Sequence, residues 1–505
     1  MILNDCKQRR LRSKLERGPT TVEHPITVLR KACIWKSLAT GLALLCWLPG
    51  GGAITYYVSI GGKDTNPGSA ALPWRTIQKA ANSVQAGDRV TVLPGDYDEV
   101  VNFARDATPT QPIMFRSSGA EVGGFNCRKS DYIIQGFRIN GTNSSSQIAP
   151  ALVYVYANAH RLQVLDNYFH DSPKLKYAVL LERGANAIPA NSSSFNVISN
   201  NTFASIDYIN ISCNGVSNKF LRNIFRDSNG QADCFRLWGD GHIAADNLVT
   251  NLSVVTENHT DFFQVFGPVQ PVTTNHYNFV RNIVLERNIV VNSRIQICQL
   301  ETFDNPSGYM TNLIFRNNLF INLPYAANVD MDGTKWYNNL FYRCNTGNGG
   351  HVFALGGPKG SAWGTDIKNN IFFECGNREN WVGWYPTVGL FGITNFDVSA
   401  DYNFVCGSNF DAKRTASQSP TGWGGQGQEA HGINGGDPRF VSIATSNFRP
   451  ASGSFLINAG TTMQSFADDL LGQLRTSGSW EIGPYEYQNL LVPSAPANLR
   501  VVGTQ

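Results

Sequence analysis

One short element recurs along the middle of the chain: an asparagine, one or no intervening residue, then an aromatic or aliphatic one. It reads DNYF at Asn167, NNTF at Asn201, RNIF at Asn223, DNLV at Asn247, RNIV at Asn288, NNLF at Asn318 and Asn339, NNIF at Asn370 and YNF at Asn403. Successive asparagines lie 34, 22, 24, 41, 30, 21, 31 and 33 residues apart. Periods of this size belong to stacked supersecondary units that bury a core only by piling on one another. A fixed motif at uneven spacing fits the rungs of one coil whose turns differ in length. Between the motifs, short runs of Val, Ile, Phe and Tyr alternate with polar residues and break at Gly, Asn and Asp, the texture of strands and turns. Helical solenoids need apolar stripes at helical period, and propeller blades need more even spacing. The expected fold is all-β, a right-handed parallel β-helix. Each asparagine would sit at one corner, tolerate a left-handed backbone, and bond to the rungs above and below. Five residues after the asparagine the side chain is often small: Ser172, Ser228, Ser293, Cys344 and Cys375.

A coil exposes the core of its terminal rungs and must be capped. Residues 76–84 place Ile77, Ala80, Ala81 and Val84 at helical spacing just before a strand at 89–93, which predicts a short N-terminal capping helix. Residues 1–53 read as a leader, 54–488 as the β-helix domain and 489–505 as a Pro/Ala-containing C-terminal linker or tail. In the leader, Arg30, Lys31 and Lys36 precede an apolar run at 38–48, followed by Pro49 and Gly51-Gly52-Ala53, the layout of a secretory signal peptide. The run is short for a bilayer span. These features predict a secreted or cell-surface protein, monomeric, with no membrane span once the signal is removed.

The formal net charge of +3, from 41 Lys+Arg and 38 Asp+Glu, is set by the leader. Nine basic and three acidic residues fall within 1–53, which leaves 32 positive against 35 negative side chains in the rest. Such a body offers no polycationic surface for nucleic acid. Cys127, Cys213, Cys234, Cys298, Cys344, Cys375 and Cys406 are odd in number and widely spread, with neither disulfide-framework nor zinc spacing, and are expected to be buried as small apolar residues.

The block YYVSIGGKDTNPGSAALPWRTIQKAANSVQAGDRVTVLPGDY at 56–97 resembles the start of secreted right-handed β-helix proteins of the pectate-lyase-like superfamily, most closely those related to family 9 polysaccharide lyases. The segment GDPRFVSIATSNFRPASGSFLINAG at 436–460 is similar to their last coils. The resemblance implies the fold over roughly 55–487 and a carbohydrate-related role, in a superfamily that includes lyases, hydrolases, epimerases and adhesins. The lyases it most resembles use a lysine base and a calcium-binding aspartate cluster, and this chain carries neither on the face considered next.

The segments DCFRLWG at 233–239 and DFFQVFG at 261–267 align without gaps. Strand alternation then points Phe235, Leu237, Phe263 and Val265 inward, followed by Cys298 with Leu300 and Val329 with Met331. Two outward ladders are predicted. One runs Ser212, Arg236, Gln264, Gln299, Asp330; the other runs Asn214, Trp238, Phe266, Glu301, Asp332, with Glu182 and Tyr156 on earlier rungs. Trp238, Phe266 and Tyr156 would offer ring faces to sugars, and Asn214, Gln264 and Gln299 paired hydrogen bonds to hydroxyls. Arg236 would clamp a carboxylate or act as base. Glu301 and Asp332, about 5 Å apart on adjacent rungs, form a candidate calcium site or, with Asp330, a hydrolytic carboxylate pair. Asp233 and Asp261 begin matching strands and would cap turns or lean into the cleft. His242 and His259 lie next to carboxylates as proton-transfer candidates. The insertion 268–277 would wall the groove.

The preferred reading is a lyase cleaving a uronic-acid-containing polysaccharide by β-elimination. The alternatives are a glycoside hydrolase using paired carboxylates and a non-catalytic glycan-binding surface protein.

Overall fold

The computed structural model describes residues 52–145, 150–172, 176–182, 192–228, 230, 232–253, 259–267, 280–301, 310–325, 327–346, 352–356, 362–375, 398–407, 429–475 and 478–488. Most of the leader, the insertion 268–277 and the tail 489–505 lie outside these.

The corners differ from expectation in one respect. The left-handed residue is the one before each motif asparagine: Asp166, Asn200, Arg222, Asp246, Arg287, Asn317, Asn338, Asn369 and Tyr402, with φ between 53° and 60°. That residue makes the turn, so the asparagine behind it is free to point inward. Its Oδ1 accepts from both the backbone N–H and the Nδ2 of the asparagine one rung earlier, as when Asn247 N and Nδ2 reach Asn288 Oδ1 at 3.1 and 2.8 Å. The ladder is continuous from Asn167 to Asn403. Glu429 occupies its last place and accepts Asn403 N and Nδ2 at 3.2 and 2.7 Å.

A second left-handed corner follows at Asp171, Ser205, Asp227, Asn251, Asn292, Asn322, Arg343 and Glu374. The small side chains singled out in the sequence come directly after it. Ser228 and Ser293 Oγ accept backbone N–H groups of Ile206 and Leu252 at 3.0 and 3.2 Å. Cys344 and Cys375 donate to Phe320 O and Phe341 O, each at 3.3 Å. All seven cysteines among the described residues are free and buried.

Between corners the strands pair in parallel into three stacked faces of a right-handed β-helix. The first face includes Tyr177–Leu181, Ile211–Val216, Phe235–Asp240, Asp261–Phe266, Gln296–Glu301 and Ala327–Asp330. The second includes Lys219–Leu221, Ile243–Ala245, Val280–Glu286 and Met310–Arg316. The third includes Ile224–Arg226, Leu248–Thr250, Ile289–Val291, Leu319–Ile321 and Leu340–Tyr342. Because register puts like positions above one another, inward rings stack along the coil: Phe169 on Phe203 and Phe203 on Phe225, with centroids 4.7 and 5.0 Å apart.

The capping helix forms at Ile77–Ser83, its first N–H groups held by the Thr76 hydroxyl and the Glu99 carboxylate. Ile77, Ala80, Ala81 and Val84 are fully buried in the main core. At the other end, the segment similar to last coils does something further. Its strands Phe440–Ser442 and Asn447–Pro450 pair antiparallel. Phe440, Phe448, Leu456, Leu470, Ile482 and Tyr485 then cover the outward Leu319, Leu340, Ile371 and Phe404 of the third face. Apolar side chains on the outside of a coil need such a cover. Arg287, bonded to Asp246 at 2.8 Å and Asp468 at 2.6 Å, ties the cover to the coil.

Burial pushes the carboxyl of Glu429 up to about 8. A carboxyl whose pKa is raised by folding contributes most below its unfolded pKa, and that contribution is lost as pH rises through the folded value. The window here runs from about 4.5 to about 8. Unfolding midpoints at both ends of it should show wild type weakened on the alkaline side by roughly 3–5 kcal/mol more than Glu429→Gln, whose curve should be flatter. Parallel curves would exclude Glu429 as the cause.

Candidate active site

The outward positions of the first face form two ladders as expected on the earlier rungs. Ser212, Arg236, Gln264 and Gln299 stand in register. Beside them Asn214 pairs with Trp238 and Phe266 with Glu301, and Trp238 Nε1 donates to Phe266 O at 3.0 Å. Tyr156 and Glu182 follow the in-register pair Val155 and Leu181 on earlier rungs. Arg128 lies over the Tyr156 ring at 3.9 Å, and Tyr154 donates to Glu182 at 2.6 Å.

The register changes at the next rung. Cys298 faces Ala327 and Leu300 faces Val329, two residues earlier than expected. Asn328 therefore stands beside Gln299, and Asp330, not Asp332, stands beside Glu301. A slip of two leaves inward and outward sides unchanged, so apolar alternation is blind to it. Asp332 falls in the turn after the strand, where it accepts Trp363 N at 2.9 Å. The calcium pairing of Glu301 with Asp332 is thus not formed. Glu301 is bonded instead by Gln299 Nε2 at 2.6 Å, and no group of three or more His, Cys, Asp or Glu suited to a metal occurs among the described residues. These side chains do not fit a calcium centre.

His242 is also corrected. It is fully buried, accepts Asn218 N at Nδ1 (3.0 Å) and donates from Nε2 to Trp238 O (2.9 Å). Asn196 bonds Asn218 in the rungs before it, so His242 ends a second, shorter side-chain ladder. Burial lowers its pKa to about 4 and keeps it neutral. It has no path to a substrate. Trp238 and Phe266 are half-buried and meet edge to face, with centroids 5.0 Å and planes 81° apart, so their rings form a corner.

The strand starts bring charged groups together. Asp233 and Asp261 are fully buried on adjacent rungs, joined by the bond from Asp261 N to Asp233 Oδ1 at 2.8 Å. Asp233 Oδ2 receives both Nε and Nη2 of Arg236 at 2.6 Å. Asp261 Oδ2 meets Nδ1 of the half-exposed His259 at 2.6 Å. Burial raises both carboxyls, Asp261 to about 7, and the bond to Asp261 raises His259 in turn. The His259–Asp261 pair therefore holds a proton into the neutral range. Tyr177 and Tyr208 pack edge to face at 5.2 Å, and the charge of Arg236 acts on the Tyr177 hydroxyl. Burial lifts the Tyr177 hydroxyl to about 12, so it stays protonated. Sequence reasoning missed both tyrosines. Only the phase of Tyr177, which opens its strand as Asp261 opens another, hinted at it.

An arginine and a histidine, each fixed by its own buried carboxylate on neighbouring rungs, can bind an anion and exchange a proton on one wall. Among solved structures, the chain is similar to XylC in complex with xylose, with a TM-score of 0.51 and 11% identity over 86% of this chain and 98% of that one. It is also similar to pectate lyase Pel9A, with a TM-score of 0.45 and 14% identity over 86% and 97% of the two chains. A rhamnogalacturonan lyase matches with a TM-score of 0.44 and 15% identity over 63% and 87%. No family model and no curated protein matches the chain. At these identities the likeness is one of fold, and the fold is the right-handed parallel β-helix.

Proposed function

We propose that this protein is a polysaccharide lyase that acts outside the cell, as a monomer, on a polymer containing uronic acid. The observation that carries the reading is the pairing of Arg236 with buried Asp233 next to the His259–Asp261 pair. β-Elimination removes the proton α to a carboxylate, so the developing charge must be neutralised and a base must be in reach. Arg236 would hold the uronate carboxylate, and His259, oriented by Asp261, would take the α-proton. Electrons then move into the new double bond and the glycosidic oxygen leaves, with the neutral Tyr177 hydroxyl as a proton source on the same wall. The corner made by Trp238 and Phe266, with Asn214 beside it, supports the neighbouring sugar. The apolar run at 38–48 supports export.

The adjacency of Glu301 and Asp330 favours a second reading, hydrolysis by paired carboxylates about 5 Å apart. Incubation with uronate and neutral polysaccharides separates the two. Elimination gives unsaturated ends that absorb in the ultraviolet, hydrolysis gives reducing sugars without them, and a purely binding protein gives neither.

The base must be free of its proton, and the bond to Asp261 raises His259, so the rate should rise with pH along a limb that lies above the ordinary imidazole range. Asp261→Asn should lower turnover and move this limb to lower pH, since the carboxylate that holds the imidazole proton is gone. An unmoved limb in the pH–rate profile would assign the titration elsewhere.

A further inference from the structure

The groove ladder contains one member that no described residue satisfies. Gln299 accepts Asn328 Nδ2 at 2.7 Å and donates to Glu301 at 2.6 Å, and Arg236 is held by Asp233. Gln264 stands between Arg236 and Gln299 in register, is 7% exposed, and makes no side-chain hydrogen bond to any described residue. Its Oε1 is buried without a donor. Oδ1 of Asp261, three residues earlier on the same strand, is in the same state, as is Oε1 of Gln296, its register partner. Buried polar atoms are normally paired, and those that are not call for a partner from outside the fold. The two amide oxygens accept in any protonation state, so the partner must bring hydrogen-bond donors.

We infer that Gln264 is a specificity residue that reads an unsubstituted hydroxyl on the sugar whose carboxylate sits on Arg236. The inference rests on the lyase reading above and narrows its substrate class. Adjacent rungs lie about 4.8 Å apart, a distance that a carboxylate and a ring hydroxyl of one sugar span. The amide can accept from one hydroxyl and donate to its neighbour, a pairing that a sugar diol satisfies in full. A second carboxylate would face Oε1 with no donor, and an O-acetyl group would remove the donor and add bulk in a buried position. A site built to bond a hydroxyl rejects analogues that lack it far more strongly than an apolar pocket does. The preferred substrate is therefore a uronate polymer with free ring hydroxyls.

The test uses polygalacturonate and alginate, each before and after chemical O-acetylation, with wild type, Gln264→Ala and Gln264→Glu. Wild type should cleave the free form of its polymer at least about tenfold faster than the acetylated form. Gln264→Ala should lose roughly 10- to 100-fold in kcat/KM on the free form and discriminate less than about twofold. Gln264→Glu should be at least as impaired, because a carboxylate cannot donate. Unchanged far-ultraviolet spectra establish that the variants fold. If wild type cleaves both forms equally, or Gln264→Ala keeps the preference, the assignment of Gln264 falls while the lyase reading stands. If no form of either polymer gives ultraviolet-absorbing ends, the lyase reading and this inference both fail for uronates of these types.

Discussion

Asn288→Ala is expected to destabilise the coil by about 4 kcal/mol, far more than an ordinary polar-to-alanine change. Asn288 is fully buried in mid-ladder. Its Oδ1 is the acceptor for two donors of Asn247, and its Nδ2 donates to Ala244 O at 3.0 Å and Asn318 Oδ1 at 3.0 Å. Truncation strips two buried donors of their acceptor and leaves two acceptors each short of a bond. Each such orphan costs about 1–3 kcal/mol. Asn167→Ala supplies the comparison, because at the ladder's first place only Phe137 N depends on its Oδ1. That loss should be about half as large. In a repeat array unfolding need not be two-state, so the quantity to compare is the shift in denaturant midpoint. Equal shifts for the two variants would mean that the ladder is no more than the sum of local bonds at each corner.

The same ladder explains how much of the molecule was legible. Asparagine spacing announced a parallel coil because only a stack of corners needs one residue type at irregular intervals. The left-handed residue before it was not legible. Arg222, Arg287 and Tyr402 do that work as readily as Asn200 or Asp246, so no composition signal marks the site. The wall holding Arg236, Gln264 and Trp238 followed from alternation within ungapped segments. Alternation fails at a slip of two, and that is why Asp332 was placed where Asp330 stands. His242 looked like a surface histidine near Asp240 because sequence does not reveal that a ladder can end on an imidazole instead of an amide. The outward apolar residues Leu319, Leu340, Ile371 and Phe404 each follow a motif asparagine, and nothing in that spacing marks them as needing a cover. Their cover comes from a segment a hundred residues or more away for the first two, beyond the reach of any local pattern.

Arg236→Ala should reduce turnover on order of a thousandfold, as expected for loss of a preorganised cation at developing charge. The variant alone is ambiguous, because it also deprives Asp233 of its partner. Asp233 is 1% exposed at the side chain, and an unpaired buried charge costs about 3–5 kcal/mol unless it takes up a proton. Burial already raises its pKa, so protonation is the easier escape and the fold should weaken without collapsing. The double variant Asp233→Asn/Arg236→Ala removes the orphan charge while an amide oxygen still accepts Asp261 N–H. Stability should return to within about 1 kcal/mol of wild type, whereas turnover should stay down about a thousandfold. Arg236→Lys keeps the charge but not the fork that grips both Asp233 and a carboxylate, and should fall between, mainly in KM. Glu301→Gln divides the two chemistries: elimination by His259 should survive it within a few fold, whereas a hydrolase relying on Glu301 with Asp330 should lose at least about a thousandfold. Activity that recovers along with stability in the double variant would make Arg236 a structural counter-ion and leave the groove without its anion clamp.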